Sequence, residues 1–252
     1  MMKTGKAEDD RTDQAAAPAW SLECAQDLTS LAYERVEELF VAMQIAPGAD
    51  IRTQDLQERV GLGRTPVHQA VRRLAAETLL EVRPRNGLRV APIDLTRERN
   101  LAELRRDVDR FVTATAIRNM SANDRAALHH LRRRVEAEFD SLSLDGFNAI
   151  DKSFDRLLIR ASGERFLERT ASPLQAFARR MGYLHITQIS GRKGLAASME
   201  RHMAIMDHVL AGDTDAACSA SRDLVAFSMS LISELEREID PALLDVRFSA
   251  QP

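Results

Sequence analysis

Five side chains that can form hydrogen bonds are clustered in the N-terminal third of the sequence. They lie within nine residues of one another and are Arg64, Thr65, His68, Gln69 and Arg72. A helix advances about 100° per residue, so this set lies away from the apolar side formed by Val67, Val71 and Leu74. At the amino end of an exposed helix such residues can bond to base edges and phosphates of duplex DNA, although a solvated helix face that binds nothing can have the same composition.

The same part of the sequence is basic, while the chain as a whole is not. Residues 59–89 contain seven arginines and two glutamates, whereas the 252-residue chain has a formal net charge of −3. A local excess of positive charge within an acidic protein is the pattern expected of a surface that binds phosphates. Any nucleic-acid surface is therefore predicted to be local to this segment.

The elements that must position these residues form a small N-terminal unit. Helical patterns run from about Leu22 to Met43, from Thr53 to Val60 and from Thr65 to Thr78, with Thr53 and Thr65 as candidate N-caps. Two short apolar strands follow, separated by Pro84-Arg85-Asn86-Gly87, and Asn-Gly is a strong hairpin signal. Three helices followed by a hairpin predict a winged helix-turn-helix.

The rest of the chain shows only helical periodicity. The predicted helices span 97–119, 123–141, 145–162, 165–189, 195–211 and 214–239. The predicted fold class is therefore mainly α, with a winged helix-turn-helix at 21–95 followed by an all-helical bundle at 96–242. Residues 1–20 are polar and rich in Ala and Pro, and are predicted to be a disordered tail, and residues 243–252 to be a C-terminal tail.

The helical unit has ionisable residues of its own beside apolar ones. Asp151 and Asp155 lie one turn apart at the border of an apolar helix face, and His202 lies within an apolar stripe. Ionisable groups at such positions need a partner. The carboxylates can pair with arginines such as Arg105, and His202 can be a hydrogen-bonded core residue.

Several classes of protein are excluded by what the sequence lacks. It has no apolar run of the ~18–20 residues that span a bilayer and no N-terminal apolar stretch typical of a signal peptide, so we predict a cytoplasmic protein without a membrane partner. Two cysteines are too few for a disulfide framework. No nucleophile elbow, phosphate-binding glycine loop or HExxH string occurs, which argues against a helical enzyme with a DNA-binding appendage.

The N-terminal motif resembles the GntR family of bacterial transcription regulators. The resemblance runs from Thr53 to Leu80, through the Arg64-Thr65-Pro66-Val67 core, and continues over 84–90. It implies that three positions approach DNA: the arginine before Thr-Pro, the residue four positions after that arginine, and the glycine of the wing. In this sequence they are Arg64, His68 and Gly87. We add Thr65, Gln69, Arg72 and Asn86 to the predicted DNA-contacting set. Histidine replaces the usual arginine at position 68 and loses its bidentate fork, so we predict an altered operator sequence or a weaker contact at one base.

The helical part resembles the FCD ligand-binding domain of the FadR branch of that family. The matching pieces are Glu103–Asp109, Phe147–Leu158, Ala161–Gly163 and Glu200–Ala217. Many members bind a divalent ion through one Asp and three His, and the resemblance places these ligands at Asp151, Asp155, His202 and Leu224. Two of the three histidines are therefore missing, and the implied cofactor is one ion of the zinc, nickel or manganese class.

The resemblance also gives a role to Arg105. It matches an arginine that faces the domain's cavity and can meet an acidic effector, and its guanidinium suits a carboxylate. A salt bridge to Asp109 is the alternative. Together these observations predict a DNA-binding transcription regulator, a repressor rather than an activator, that acts as a homodimer on a two-fold DNA operator and senses a small carboxylate. A metal-responsive regulator without an organic effector is the alternative function.

Overall fold

The computed structural model describes residues 19–85 and 87–250, and its N-terminal domain is a winged helix-turn-helix. The strands form one antiparallel sheet in the order β1-β3-β2. The elements are α1 (Ala19–Val41), β1 (Asp50–Ile51), α2 (Thr53–Val60), α3 (Arg64–Ala76), β2 (Leu80–Arg83) and β3 (Gly87–Val90). β1 is the one element of this domain that the sequence did not predict, because two residues show no periodicity.

Local signals set the ends of α2 and α3. The backbone N–H of Arg52 donates to Asp55 at 3.0 Å, so Arg52 and not Thr53 precedes α2. Gly61 ends α2 in the left-handed conformation, with φ of 67°. Gly63 precedes α3, so the predicted N-cap at Thr65 is placed two residues too late. The turn between the two helices is therefore short, as a helix-turn-helix requires.

Apolar packing holds α3 in place. Val67, Val71 and Leu74 are buried and share a core with Phe40 of α1 and Leu56 of α2. Burying a side chain of this kind contributes about 1.5–3 kcal/mol. The orientation of α3 is thus fixed by its apolar side, and its opposite side is left for solvent or a partner.

The C-terminal domain is a bundle of long helices, which confirms the mainly α fold class. Its helices are α4 (Leu95–Asn119), α5 (Ala122–Ala137), α6 (Leu144–Ser162), α7 (Phe166–His185), α8 (Gly191–Ala211) and α9 (Thr214–Glu238). A π-helical turn, Ile186–Ser190, follows α7, and the backbone leaves helical geometry at Gly191, with φ of 54° and ψ of −143°, where the predicted break at residues 191–194 begins. Asp94 and Asp213 cap α4 and α9 by accepting backbone N–H bonds, as polar N-caps do.

The two domains are in contact. Ala176 and Phe177 of α7 pack into the core of the N-terminal domain. Lys152 of α6 forms a buried ion pair with Glu37 of α1. In the described residues 19–85 and 87–250, no helix is long and apolar enough to cross a membrane.

The predicted C-terminal tail also packs against the N-terminal domain. Asp245 is buried and accepts two hydrogen bonds, at 2.9 and 2.8 Å, from the buried guanidinium of Arg89 on β3. The N–H of Val246 donates to the carbonyl of Pro47 at 3.0 Å. Residues 241–248 are therefore a clasp between the domains and not a tail. The predicted N-terminal tail, as far as residue 18, lies outside the described residues.

Candidate functional site

The predicted DNA-contacting residues of α3 occupy an exposed face. Arg64, Thr65, His68 and Arg72 are exposed, and we call them the α3 face. They project from the first three turns of the helix, opposite the buried Val67 and Leu74. The structure thus brings these four residues together as the sequence predicted, on the part of a recognition helix that contacts base edges.

Gln69 differs from its neighbours on α3. Its side-chain oxygen accepts a hydrogen bond of 2.6 Å from the hydroxyl of Thr29 on α1. The amide oxygen of Gln69 is therefore turned toward α1 in this structure, whereas its amide nitrogen is not part of that bond.

Three of the seven arginines counted in residues 59–89 are engaged within the protein. Arg89 is buried against Asp245, Arg73 pairs with Glu77 at 2.8 Å, and Arg83 lies 3.4 Å from Glu81. Four arginines remain on the surface, namely Arg59, Arg64, Arg72 and Arg85. The basic character of this surface is therefore smaller than the count from the sequence, because the sequence does not reveal which charges pair.

The predicted wing glycine, Gly87, begins β3 at the tip of the hairpin. Gly87 is exposed and has φ of 83°, a value that favours glycine, and it pairs with Arg83 across the hairpin. A Cβ atom at this position would lie 3.2 Å from the carbonyl oxygen of Ile51, so a glycine suits it on both grounds. Asn86, the other predicted wing contact, lies outside the described residues.

The C-terminal domain encloses a cavity of about 50 Å³, which we call the helical-domain cavity. Five helices, α4 and α6–α9, contribute to its wall. Its polar lining includes Arg105, Asp151, Arg179 and His202. Three of the residues predicted from the sequence are thus in one place, together with Leu224, which occupies the predicted position of the third histidine.

His202 is held by acceptors on both ring nitrogens. Its Nδ1 lies 2.8 Å from the carbonyl oxygen of Ser198, and its Nε2 lies 2.9 Å from Oδ1 of Asp151. A carbonyl and a carboxylate only accept hydrogen bonds, so both nitrogens must carry a proton and the ring is cationic. Burial opposes that charge, but Asp151 outweighs it and raises the pKa of His202. The same contact holds the pKa of Asp151 down to about 2 against the effect of burial.

Arg179 of α7 is the residue that the sequence analysis did not identify. It is buried, and its NH1 lies 2.6 Å from Asp155 and 3.8 Å from Asp151. Burial opposes its charge, but Asp155, Asp151 and Glu37 outweigh burial and raise its pKa. The signal in the sequence was an arginine between Phe177 and Met181, both of which are buried on the same helix. The alternative of carboxylate–arginine pairing was therefore correct, but with Arg179.

Arg105 lies at the cavity and also forms the salt bridge that was predicted as the alternative. Its side chain lines the helical-domain cavity and is buried. Its Nε also donates to Asp109 at 2.7 Å, which is the predicted salt bridge. A guanidinium has five N–H donors, so the bond to Asp109 leaves donors for a ligand in the cavity.

The donor chemistry of this cavity does not fit a divalent metal. Both nitrogens of His202 are donors, Asp155 is bonded to Arg179, and Leu224 has no donor atom. Metal ligands must be deprotonated and free to coordinate. Within residues 19–85 and 87–250 no group of three or more His, Cys, Asp and Glu side chains is arranged to hold a metal ion. The structure thus does not bring Asp151, Asp155 and His202 together as ligands, because Arg179 lies between the carboxylates and any ion.

A second, larger cavity lies between the domains. We call it the interdomain cavity; its volume is about 560 Å³, and α1, α3, α6 and α7 line it. Arg179 and Gln175 border both cavities, so they form the wall between them. On the other side of this wall the hydroxyl of Tyr33 lies 3.1 Å from Glu37 and 2.6 Å from Glu77. Arg73 of α3 pairs with Glu77 and stacks on the Tyr33 ring, 3.8 Å from its centroid.

Two family profiles match the chain in the order of these two domains. The FCD domain matches residues 100–227, more than half of the chain, and the bacterial regulatory proteins of the gntR family match residues 28–90. The chain belongs to the GntR family. This GntR regulator therefore combines a DNA-binding helix-turn-helix with an FCD domain, as the motifs predicted, and it is a transcription regulator and not an enzyme.

Curated relatives agree with this assignment. A regulator from Streptomyces ambofaciens, described as an uncharacterized HTH-type transcriptional regulator in an unstable DNA locus, is 29% identical over 195 residues, covering 75% of this chain and 78% of the relative. The HTH-type transcriptional repressor RspR of Escherichia coli K12 is 24% identical over 191 residues, covering 76% and 82%.

Solved structures share the fold of this GntR regulator. McbR/YncC of E. coli aligns with a TM-score of 0.72 at 17% identity, covering 83% of this chain and 99% of that chain. A GntR regulator from Rhodococcus sp. RHA1 aligns with a TM-score of 0.61 at 16% identity, covering 82% and 98%. At these identities the likeness concerns the fold alone.

Proposed function

We propose that this GntR regulator is a cytoplasmic repressor that binds a two-fold DNA operator as a homodimer and releases it when a small carboxylate enters the helical-domain cavity. The observation that carries the DNA-binding part is the α3 face, where four residues with hydrogen-bonding side chains are exposed on one side of a helix whose other side is buried. Such a face can enter a major groove without unfolding the domain.

The charges of the helical-domain cavity support an anionic effector. Arg105, Arg179 and His202 are buried cations of the cavity lining, and each is paired with an aspartate, of which Asp151 also lines the cavity. A carboxylate can replace one of these aspartates as the partner of a guanidinium. With a volume of about 50 Å³ the cavity is too small for such a ligand, since ligand pockets span about 300–1,000 Å³. Binding therefore requires the wall of the cavity to move.

That requirement links the effector to the DNA-binding helix. Arg179 is part of the wall that would move, and it contributes to the charge environment of Glu37 on α1. Glu37 contacts Tyr33, which in turn contacts Glu77 and Arg73 at the end of α3. An effector that binds one domain arrangement better than the other shifts the population toward that arrangement. A coupling of about 1–3 kcal/mol is sufficient for such a switch.

An apolar surface on α4 supports the homodimer. Leu104 and Phe111 lie two helical turns apart on one side of α4 and are 53% and 52% exposed. A two-fold interface pairs the same patch of both copies, so two such patches would cover each other. We expect Phe111→Glu to convert the dimer into a monomer in sedimentation velocity, whereas Arg133→Glu, an exposed position on α5, leaves it dimeric. A wild-type monomer would contradict this part of the proposal.

The DNA-binding part is tested by operator affinity. We expect the protein to bind its own upstream region more tightly than random duplex in fluorescence anisotropy. Arg64→Ala should weaken specific binding by about 1–3 kcal/mol, about 5- to 150-fold, because one base contact is lost. Arg133→Ala is the matched control and should leave the affinity unchanged. Equal affinity of wild type for both duplexes, or of Arg64→Ala and wild type for the operator, would refute the assignment of the α3 face.

A further inference from the structure

We infer that the guanidinium of Arg179 takes the place of the divalent ion in this FCD domain, so that the helical-domain cavity works without a metal and binds its anionic effector through arginine. The statement about the effector rests on the proposed function, whereas the statement about the metal does not. Both predicted aspartate ligands are paired with cations of the protein, Asp155 with Arg179 and Asp151 with His202.

Arg179 lies where a metal ion would have to bind the two predicted aspartate ligands. Its NH1 is 2.6 Å from Asp155 and 3.8 Å from Asp151, so one guanidinium nitrogen lies against both carboxylates of the predicted site. A cation that contacts two carboxylates from adjacent helical turns favours their charged forms, as a bound ion would. A metal could reach these oxygens only by displacing Arg179, which is buried and cannot lose its charge.

The other predicted ligands carry the second step. The Nδ1 atom of His202 lies 2.8 Å from the carbonyl oxygen of Ser198 and its Nε2 atom lies 2.9 Å from Oδ1 of Asp151, so both ring nitrogens already have a protein partner. Leu224 lines the cavity with an apolar side chain where a third imidazole was predicted. The two departures from the predicted ligand set, Asp155 and Leu224, are therefore consistent with a site without metal. Asp155, at a position where a histidine is usual, neutralises Arg179.

This arrangement determines the class of effector. A metal recruits ligands that coordinate through oxygen or nitrogen lone pairs, whereas a guanidinium recruits planar anions through paired N–H bonds. Arg105 is a second guanidinium in the same cavity. We therefore expect a carboxylate that needs no chelating hydroxyl or amine, and a response that a chelator does not alter.

The first test uses wild-type protein and metal ions alone. Protein purified without chelator should contain much less than one equivalent of zinc, nickel or manganese, as measured by elemental mass spectrometry. About 1 mM Zn²⁺, Ni²⁺ or Mn²⁺ should leave Tm unchanged, whereas a site with a Kd one hundredfold lower would raise it by about 5–10 °C. A stoichiometric ion, or such a rise in Tm, would overturn the inference.

The second test restores the ligands. In Arg179→Gln/Leu224→His the carboxylates lose their cation and a second imidazole is added. We expect this variant to gain an Mn²⁺- or Ni²⁺-dependent rise in Tm, whereas the matched control Arg169→Gln/Leu224→His, in which an exposed arginine of α7 is changed, should show a smaller one. Equal responses of the two variants would overturn the role of Arg179. If Arg179→Gln/Leu224→His does not fold, the wild-type measurement alone decides.

Failure of this inference is separable from failure of the proposed function. Operator affinity of the wild type, measured with and without EDTA, reports on DNA binding independently of the metal measurements. A protein that binds its operator and also holds a stoichiometric ion would retain the DNA-binding function and lose the inference. A protein that holds no metal and shows no preference for its operator would retain the inference about the metal and lose the proposed DNA-binding function.

Discussion

The α3 face and the helical-domain cavity both contain arginines, but the arginines are exposed on the α3 face and buried in the cavity. On the α3 face Arg64 and Arg72 are exposed on one helix. Their charges remain solvated, so they carry little desolvation free energy and are available to a partner. In the cavity Arg105 and Arg179 are buried and bonded to aspartates. Burying an unpaired charge is costly, so each of these cations needs an internal partner.

This difference teaches where each function is vulnerable. Changing an exposed arginine removes a contact to DNA and leaves the fold intact. Changing a buried arginine leaves carboxylates without a partner and weakens the fold before any effector is considered. The measurements below separate the two regions, beginning with the largest expected effect.

Arg179→Leu should be far more destabilising than Arg64→Ala. Removing the buried cation leaves Asp155 without its ion-pair partner, which costs about 3–5 kcal/mol of unfolding free energy. Arg64→Ala should change it by less than about 0.5 kcal/mol, because the residue is exposed. Urea unfolding followed by circular dichroism measures both. Equal stabilities of the two variants would remove the distinction between the regions.

The buried charge of the C-terminal domain should also make its stability depend on pH. Glu98 of α4 is 3% exposed, and burial raises its pKa to about 7, although Arg180 and Arg97 act in the opposite direction. Its usual value is 4.5, so between these values the folded state binds the proton that the unfolded state has lost. This contribution to stability is therefore lost as the pH rises through that range.

Glu98→Gln tests this pH dependence. From about pH 5 to about pH 8 the wild type should lose about 2–3 kcal/mol of unfolding free energy relative to Glu98→Gln. Glu103→Gln, at an exposed position of the same helix, should follow the wild type. Parallel pH profiles of wild type and Glu98→Gln would show that Glu98 is ionised in the folded state.

The ion pair between Arg89 and Asp245 joins the N-terminal domain, which carries the α3 face, to the clasp. Asp245→Ala should lower the unfolding free energy by about 2 kcal/mol, because the charged bonds to Arg89 are lost. Arg247 bonds to the same carboxylate from the surface, so Arg247→Ala should have a much smaller effect. Differential scanning calorimetry of both variants checks this order. The reverse order would show that the buried bond contributes little.

The smallest expected effect concerns Tyr33 at the interdomain cavity. Tyr33→Phe removes the hydroxyl that lies between Glu37 and Glu77 and should lower the unfolding free energy by about 1 kcal/mol. The α3 face is untouched, so operator affinity without effector should stay within about twofold of wild type. A large loss of operator affinity would mean that Tyr33 positions α3 and not only the interface.

Much of the fold could be predicted because its signals are local. The predicted helix 97–119 is observed at Leu95–Asn119, and the predicted 214–239 at Thr214–Glu238. Polar caps and apolar periodicity mark such boundaries within a few residues of sequence. The break predicted at residues 191–194 is observed at Gly191, which has φ of 54°, although a π-helical turn, Ile186–Ser190, extends α7 as far as this glycine.

Less of the helical-domain cavity could be predicted. Asp151, His202 and Arg105 were identified from the resemblance to the FCD domain and lie beside apolar residues in the sequence, and the structure places all three in the wall of the cavity. The pairing of Asp155 with Arg179 joins residues 24 positions apart on two helices, and nothing local marks that partnership. The same limit applies to Arg89, which the charge pattern counted as part of a DNA surface although it pairs with Asp245.

By itself the sequence determined which chemistry is available and on which helix. The α3 face follows from spacing within one helix, since Val67 and Leu74 must turn inward and Arg64 and Arg72 must then turn outward. Only the tertiary structure decided which buried charges meet. Ion pairs between helices depend on how α6, α7 and α8 cross, and that is set by packing over the whole core and not by any single segment.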